Sequence, residues 1–163
     1  MIGFLHSQSA DDPAKITVRF LQGLKEAGYV EGQNVAIECR YAENQLDRLP
    51  ALAADLVRRR VAVIVAFGST PAALAAKAAT TTIPIVFSVG PDPVALGLVD
   101  SLSPPGGNVT GNATLNVELW PKRLQVLRQG IPNATRFGVL ADPAFPGIQS
   151  MIADLHGAAK AAT

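Results

Sequence analysis

Val61-Ala62-Val63-Ile64-Val65-Ala66-Phe67 runs straight into Gly68-Ser69-Thr70-Pro71. The first seven residues are apolar throughout, short in span and rich in valine. A strand with one wet face must alternate, whereas a strand covered on both faces need not. This run therefore predicts a central strand of a parallel sheet. The next four residues predict a helix start, with Thr70 as N-cap and Pro71 at the first helical position, where a missing N–H costs nothing. An alanine-rich helix then runs to about Ala79.

The same alternation of types continues upstream. Asp47 to Arg60 reads as a helix with Leu49, Leu52, Leu56 and Val57 facing inward and Pro50 in its first turn. Val35, Ile37, Cys39 and Tyr41 alternate with Ala36, Glu38 and Arg40, a period of two that predicts a strand at a sheet edge. Pro13 to Ala27 reads as a helix capped by Asp11 or Asp12 and stopped by Gly28. Ile2 to Leu5 reads as an opening strand.

Downstream, Pro84 to Ser88 is a second buried strand, and a turn over Val89-Gly90-Pro91-Asp92-Pro93 leads to a short helix near Val94 to Ser101. The sum is βαβαβαβα, which predicts an α/β fold with a doubly wound parallel sheet. Ser103 to Asn116 breaks the pattern, with Pro, Gly, Asn and Thr dominant and one short extended piece at Val109-Thr110. A helix (Glu118 to Gly130), a strand (Arg136 to Ala141) and a last helix (Phe145 to Ala161) follow. We therefore divide the chain into a first α/β lobe over 1–108, a crossover or hinge segment over 109–116, and a partial second lobe over 117–163.

Composition narrows the function classes. Of 163 residues, 48% are hydrophobic and 17% charged, which is ordinary for a globular chain. A net charge of +1 gives no electrostatic reason to expect nucleic acid or an anionic membrane as partner. The single cysteine, Cys39, rules out an internal disulfide. No apolar run is long enough to span a bilayer, and the opening residues read as a strand, so no signal peptide is expected within these residues.

In an open α/β sheet, ligands bind beyond the carboxyl ends of the strands. The loops at those ends are His6-Ser7-Gln8-Ser9, Gly68-Ser69-Thr70 and Ser88-Val89-Gly90-Pro91-Asp92-Pro93. They are short and rich in hydroxyls, and two lead into helix N-termini, which favour a carboxylate. Ser69 and Thr70 could add hydroxyl donors, and Asp92 could accept from an ammonium, so the set suits a zwitterion such as an amino acid. Each residue taken singly is better explained as a helix cap, and it is the clustering of three such loops on one sheet edge that points to a binding edge.

Catalytic patterns are weak. His6 with Ser7 or Ser9 forms no recognised triad, and His156 lies on the far helix. No Gly-x-Ser-x-Gly elbow, phosphate loop or dinucleotide fingerprint occurs. Cys39, His6 and His156 lack metal-ligand spacing. Arg58-Arg59-Arg60 reads as a solvated helix end, and Trp120, Leu124 and Leu127 as packing. The expectation is a binder with no catalytic residue, metal or cofactor. The alternatives are a small enzyme or a ligand-sensing regulatory domain on the same type of sheet.

A series of segments then fixes a resemblance. Gly-Tyr-Val-Glu-Gly-Gln-Asn-Val (28–35), Asp-Arg-Leu-Pro-Ala-Leu-Ala (47–53), Thr-Pro-Ala-Ala-Leu-Ala-Ala-Lys (70–77), Thr-Ile-Pro-Ile-Val-Phe (82–87), Asp-Pro-Val (92–94) and Pro-Gly-Gly-Asn-Val-Thr-Gly (105–111) occur in this order. Together they resemble ABC-transporter substrate-binding proteins of the tryptophan/tyrosine type. The resemblance implies a type I periplasmic-binding fold, with two lobes closing on a small ligand, an amino acid and in particular an aromatic one. It implies an extracytoplasmic location and a membrane permease as partner. By position it places ligand contacts at Ser7, Gln8, Ser9, Gly68, Ser69, Thr70, Ser88, Gly90 and Asp92, and adds Asn112 and Thr114 in the crossover. It also implies that the second lobe is truncated here, leaving apolar surface to be covered by self-association.

Overall fold

The computed structural model describes residues 1–9, 16–143 and 145–160. Among these, five strands form one parallel sheet: β1 (Ile2–His6), β2 (Ile37–Tyr41), β3 (Val63–Phe67), β4 (Ile85–Val89) and β5 (Val109–Ala113). The order is β2-β1-β3-β4-β5, so the direction in which strands are added reverses between β1 and β3. That order is doubly wound, as the alternating pattern predicts. Helices α1 (Ile16–Glu26), α2 (Leu49–Arg58) and α3 (Thr70–Ala79) link the first four strands. The expected cap at Asp11 or Asp12 and the start at Pro13 lie outside the described residues.

Both faces of the sheet are covered. On one, the Phe20 ring of α1 stands 5.5 Å from Phe4 and 5.8 Å edge-on from Phe67. On the other, Gly3 of β1 faces α2, where an added Cβ would lie 3.1 Å from the Leu56 methyls. Leu49, Ala53 and Leu56 of α2 and Ala72, Ala73 and Ala76 of α3 are buried in the same core as Leu5, Ile64 and Ile85. The alanines let α3 lie close to its neighbours. A leucine buried as completely as Leu56 stabilises the fold by about 1.5–3 kcal/mol.

β2 is an edge strand, as its alternation predicts, and is tied down by charge. Arg40 donates to Asp55 of α2 at 2.7 and 2.9 Å and to Glu38 at 3.1 Å. Arg58 and Arg59 reach the same Asp55 carboxylate at 2.8 and 3.1 Å. The arginine run at this helix end is therefore exposed, as expected, but two of its members are paired. Three guanidiniums hold the Asp55 carboxyl down to about 2. On the same strand, Tyr41 shares a 2.9 Å hydrogen bond with Thr17 of α1.

Four local expectations need correction. The α3 N-cap is Ser69, not Thr70: Ser69 is extended at φ −138° and its hydroxyl accepts from Ala72 N–H, putting Pro71 second in the helix. The expected helix over Val94 to Ser101 is a single turn, because Gly97 turns left-handed at φ 66° and ends it. The short extended piece at Val109-Thr110 is a full strand, β5, paired along its length with β4. The expected strand over Arg136 to Ala141 does not form, since no described strand offers it a ladder partner. Leu140 there is fully exposed.

Beyond β5, α4 (Trp120–Gly130) packs on α5 (Ile148–Lys160) around a second, smaller apolar cluster. Ile148, Met151 and Leu155 are its buried centre, with Trp120 and Leu124 against them. Trp120 is thus a packing residue, as its spacing predicts, and Arg123 lies over its ring at 4.8 Å.

Candidate functional site

All five strands point their carboxyl ends to one edge, and that edge holds a cleft of about 610 Å³. Its centre is the crevice between β1 and β3, where the strand order reverses. There Ser69 Oγ donates to Ser7 Oγ at 2.9 Å, stitching the two loops together. Ser69 also accepts from Ala72 N–H, while Ala73 N–H bonds the Ser69 carbonyl. Pro71 has no N–H. What remains at the start of α3 is the amide of Thr70, at the positive end of the helix dipole.

Thr70 is 6% exposed. Its hydroxyl has no hydrogen-bond partner among the described residues, yet it belongs to a side chain that lines the cleft. The hydroxyls of Ser88 and Thr114 and the amides of Gln8, Asn44 and Asn116 are likewise uncommitted cleft groups. Ser7 and Ser69 shape the floor, and the uncommitted groups face whatever enters.

Eight of the eleven residues expected at the site line this cleft: Ser7, Gln8, Gly68, Ser69, Thr70, Ser88, Gly90 and Thr114. Ser9 is half-buried and outside the lining. Asn112 is exposed on β5, opposite Ser88, and is not in the lining either. Asp92 is spent locally, since its Oδ1 accepts from Val94 N–H at 2.8 Å and Ala95 N–H at 3.4 Å. Its own amide donates to Glu118 Oε1 at 3.1 Å. His6 is buried, stacks on Phe4 at 6.2 Å and accepts at Nδ1 from Gln8 N–H, so it holds the Gln8 loop.

Several lining residues escape the sequence pattern. Asn44 and Leu46 follow β2, whose end obeys the same carboxyl-edge rule as the other strands. Asn116 follows β5 and rests on Gly90, where an added Cβ would lie 2.7 Å from its Oδ1. Asp142, Phe145 and Pro146 come from the segment before α5, and only the fold brings them to this edge.

The turn carrying Asn44 is unusual in its backbone. Glu43 and Asn44 are consecutive non-glycine residues with φ of 54° and 60°. For an L residue that region costs on the order of 1–2 kcal/mol, less for asparagine. Offsetting this, Asn44 N–H donates to Ser7 O at 2.8 Å and Glu43 N–H to Gln8 O at 3.3 Å.

The family model for ABC transporter substrate binding protein matches residues 4–162. The tyrosine-binding protein of Clostridioides difficile (strain R20291) is 34% identical over 157 residues, covering 94% of this chain and 44% of that protein. A conserved domain protein from Vibrio cholerae superimposes with a TM-score of 0.84 at 30% identity, over 99% of this chain and 53% of that one. The ABC domain from Streptococcus pneumonia, solved in complex with L-Trp, superimposes with a TM-score of 0.82 at 25% identity, over 99% and 54%. The chain thus spans about half the length of the relatives it matches.

Proposed function

Because the chain belongs to the ABC transporter substrate-binding protein family, we propose that its cleft receives a free amino acid, in particular an aromatic one, and does no chemistry on it. The observation that carries this is the start of α3. There a 94% buried threonine with an uncommitted hydroxyl sits beside the Thr70 amide, at the strand-order reversal. A carboxylate fits such a place: it accepts from both donors and meets the positive end of the helix. Asp142, which also lines the cleft, supplies a negative group for the ligand's ammonium.

In this reading the ligand lies between this lobe and a second one that closes over it. The loaded protein then serves a membrane permease from an extracytoplasmic position. The tyrosine-binding relative and the structural neighbour solved with L-Trp support the aromatic preference.

Calorimetry with L-tyrosine, L-tryptophan and their carboxamides tests it. The free acids should bind and the carboxamides should not. Thr70→Ala should weaken binding by about tenfold, the worth of one buried hydrogen bond. Equal binding of acid and carboxamide would refute the carboxylate role. No heat and no thermal shift with any amino acid at millimolar concentration would refute the binding function.

A further inference from the structure

The backbone of the paired left-handed residues after β2 is accounted for by its bonds to the β1 loop, but the side chain at 44 is not. Glycine at 44 would meet φ 60° without strain, yet the residue there is asparagine. Asparagine usually suits such turns by bonding its own neighbourhood. Two other asparagines in this chain do bond the backbone. Asn34 Oδ1 accepts from Val30 N–H at 2.7 Å and its Nδ2 donates to Gly28 O at 2.8 Å. Asn108 Nδ2 donates to Ile83 O at 2.7 Å. Asn44 differs: its carboxamide has no hydrogen-bond partner among the described residues, and it lines the cleft.

Its backbone, by contrast, is held firmly. Asn44 N–H donates to Ser7 O, Glu43 N–H to Gln8 O and Gln45 N–H to Ala42 O. The turn is therefore pinned to the same β1 loop whose Ser7 hydroxyl accepts from Ser69. The backbone is thus preset, and the exposed carboxamide at the cleft is left to bond an incoming group.

We propose that Asn44 is a specificity-determining ligand contact. Its carboxamide, on the β2 flank of the cleft beside Leu46, exchanges a hydrogen bond with a neutral polar group of the ligand. That group lies away from the carboxylate held at α3. The proposal rests on the amino-acid reading of the cleft. A carboxamide both donates and accepts but carries no charge, so it matches a hydroxyl or an amide better than an ion. A site built to bond a hydroxyl rejects the analogue lacking it, because its own polar group is then left unpaired.

L-Tyrosine and L-phenylalanine differ by one such hydroxyl and are the probes. Asn44→Gly keeps the left-handed backbone and deletes the carboxamide. Glu43→Gly relaxes the neighbouring residue, which does not line the cleft, and is the control. In the Asn44→Gly chain we expect a melting temperature no lower than wild type, about tenfold weaker tyrosine binding and phenylalanine binding within twofold of wild type. The Glu43→Gly chain should bind tyrosine as wild type does. Unchanged tyrosine binding in Asn44→Gly, or equal losses for both probes, overturns the proposal while leaving the carboxylate site standing. A lowered melting temperature in Asn44→Gly also overturns it, since Asn44 is then a fold residue. Wild-type protein that binds neither probe overturns the functional reading and this proposal together.

Discussion

Gly111 shows how much one missing side chain can decide. It lies on β5 opposite Phe87, and an added Cβ would fall 2.2 Å from the Phe87 carbonyl oxygen and 2.7 Å from its ring. No rotamer change relieves a clash with backbone. Gly111→Ala should therefore cost about 2–3 kcal/mol in urea unfolding by pushing the edge strand away. Gly28→Ala makes the contrast: nothing lies within 4 Å there, so its only cost is the positive φ of 85°. At this scale the sequence was readable for chemistry but not for position. Hydroxyls near the helix start announced a cap, yet choosing Ser69 over Thr70 depended on which residue stays extended. Asp92 looked like a ligand acceptor, and its side chain instead closes a local turn. Asn44 went unnoticed because its value lies in a backbone angle and a partner loop, neither of which appears in composition.

Among elements, the strongest tie outside the core joins β2 to α2 through Asp55. Its carboxyl sits at about 2, below the usual 3.8, because Arg40, Arg59 and Arg58 all bond it. A group whose value falls on folding stabilises the folded state at pH above its unfolded value, and loses that contribution as pH falls toward its folded value. This contribution is whole above about pH 4 and drains away as pH falls toward 2. Asp55→Asn removes it. Melting temperatures of wild type and Asp55→Asn should differ most above pH 4 and converge near pH 2. A constant gap across that range would show that the charge is not responsible. Elements with an unambiguous pattern, α2 with its helical spacing and β3 with its unbroken apolar run, were legible because their partners impose nothing the pattern lacks. The Arg136 to Ala141 segment was misread because a short apolar run does not show which strand would pair with it. A strand exists only with a ladder beside it. Pairing with β4 likewise made β5 longer than its Pro/Gly-rich surroundings suggested.

For the molecule as a whole, two apolar clusters of unequal size share one chain. The larger one surrounds the sheet. The smaller one holds α4 to α5 and leaves Leu119, Val126, Ile131, Val139 and Leu140 exposed. Apolar surface of this kind favours association. Sedimentation velocity should show a mass that rises with protein concentration, and Leu140→Ser should reduce that rise without lowering the melting temperature, since Leu140 is fully exposed. A mass independent of concentration would contradict this. The overall architecture was readable from the order of apolar runs, because a doubly wound sheet follows from alternating elements. The cleft's far wall, formed by Asp142, Phe145 and Pro146, was not, since only tertiary packing sets it beside the strand ends. The central place of β1 also has a consequence in time. Ile2 pairs with Ile37 on one side and with Val63 on the other. A chain made from its N-terminus therefore carries Phe4 and Leu5 bare until both later strands have been synthesised. Acquisition of the sheet must wait on distant contacts, which makes it slow. Nascent chains arrested before Val63 should be the species that a chaperone captures or that aggregates.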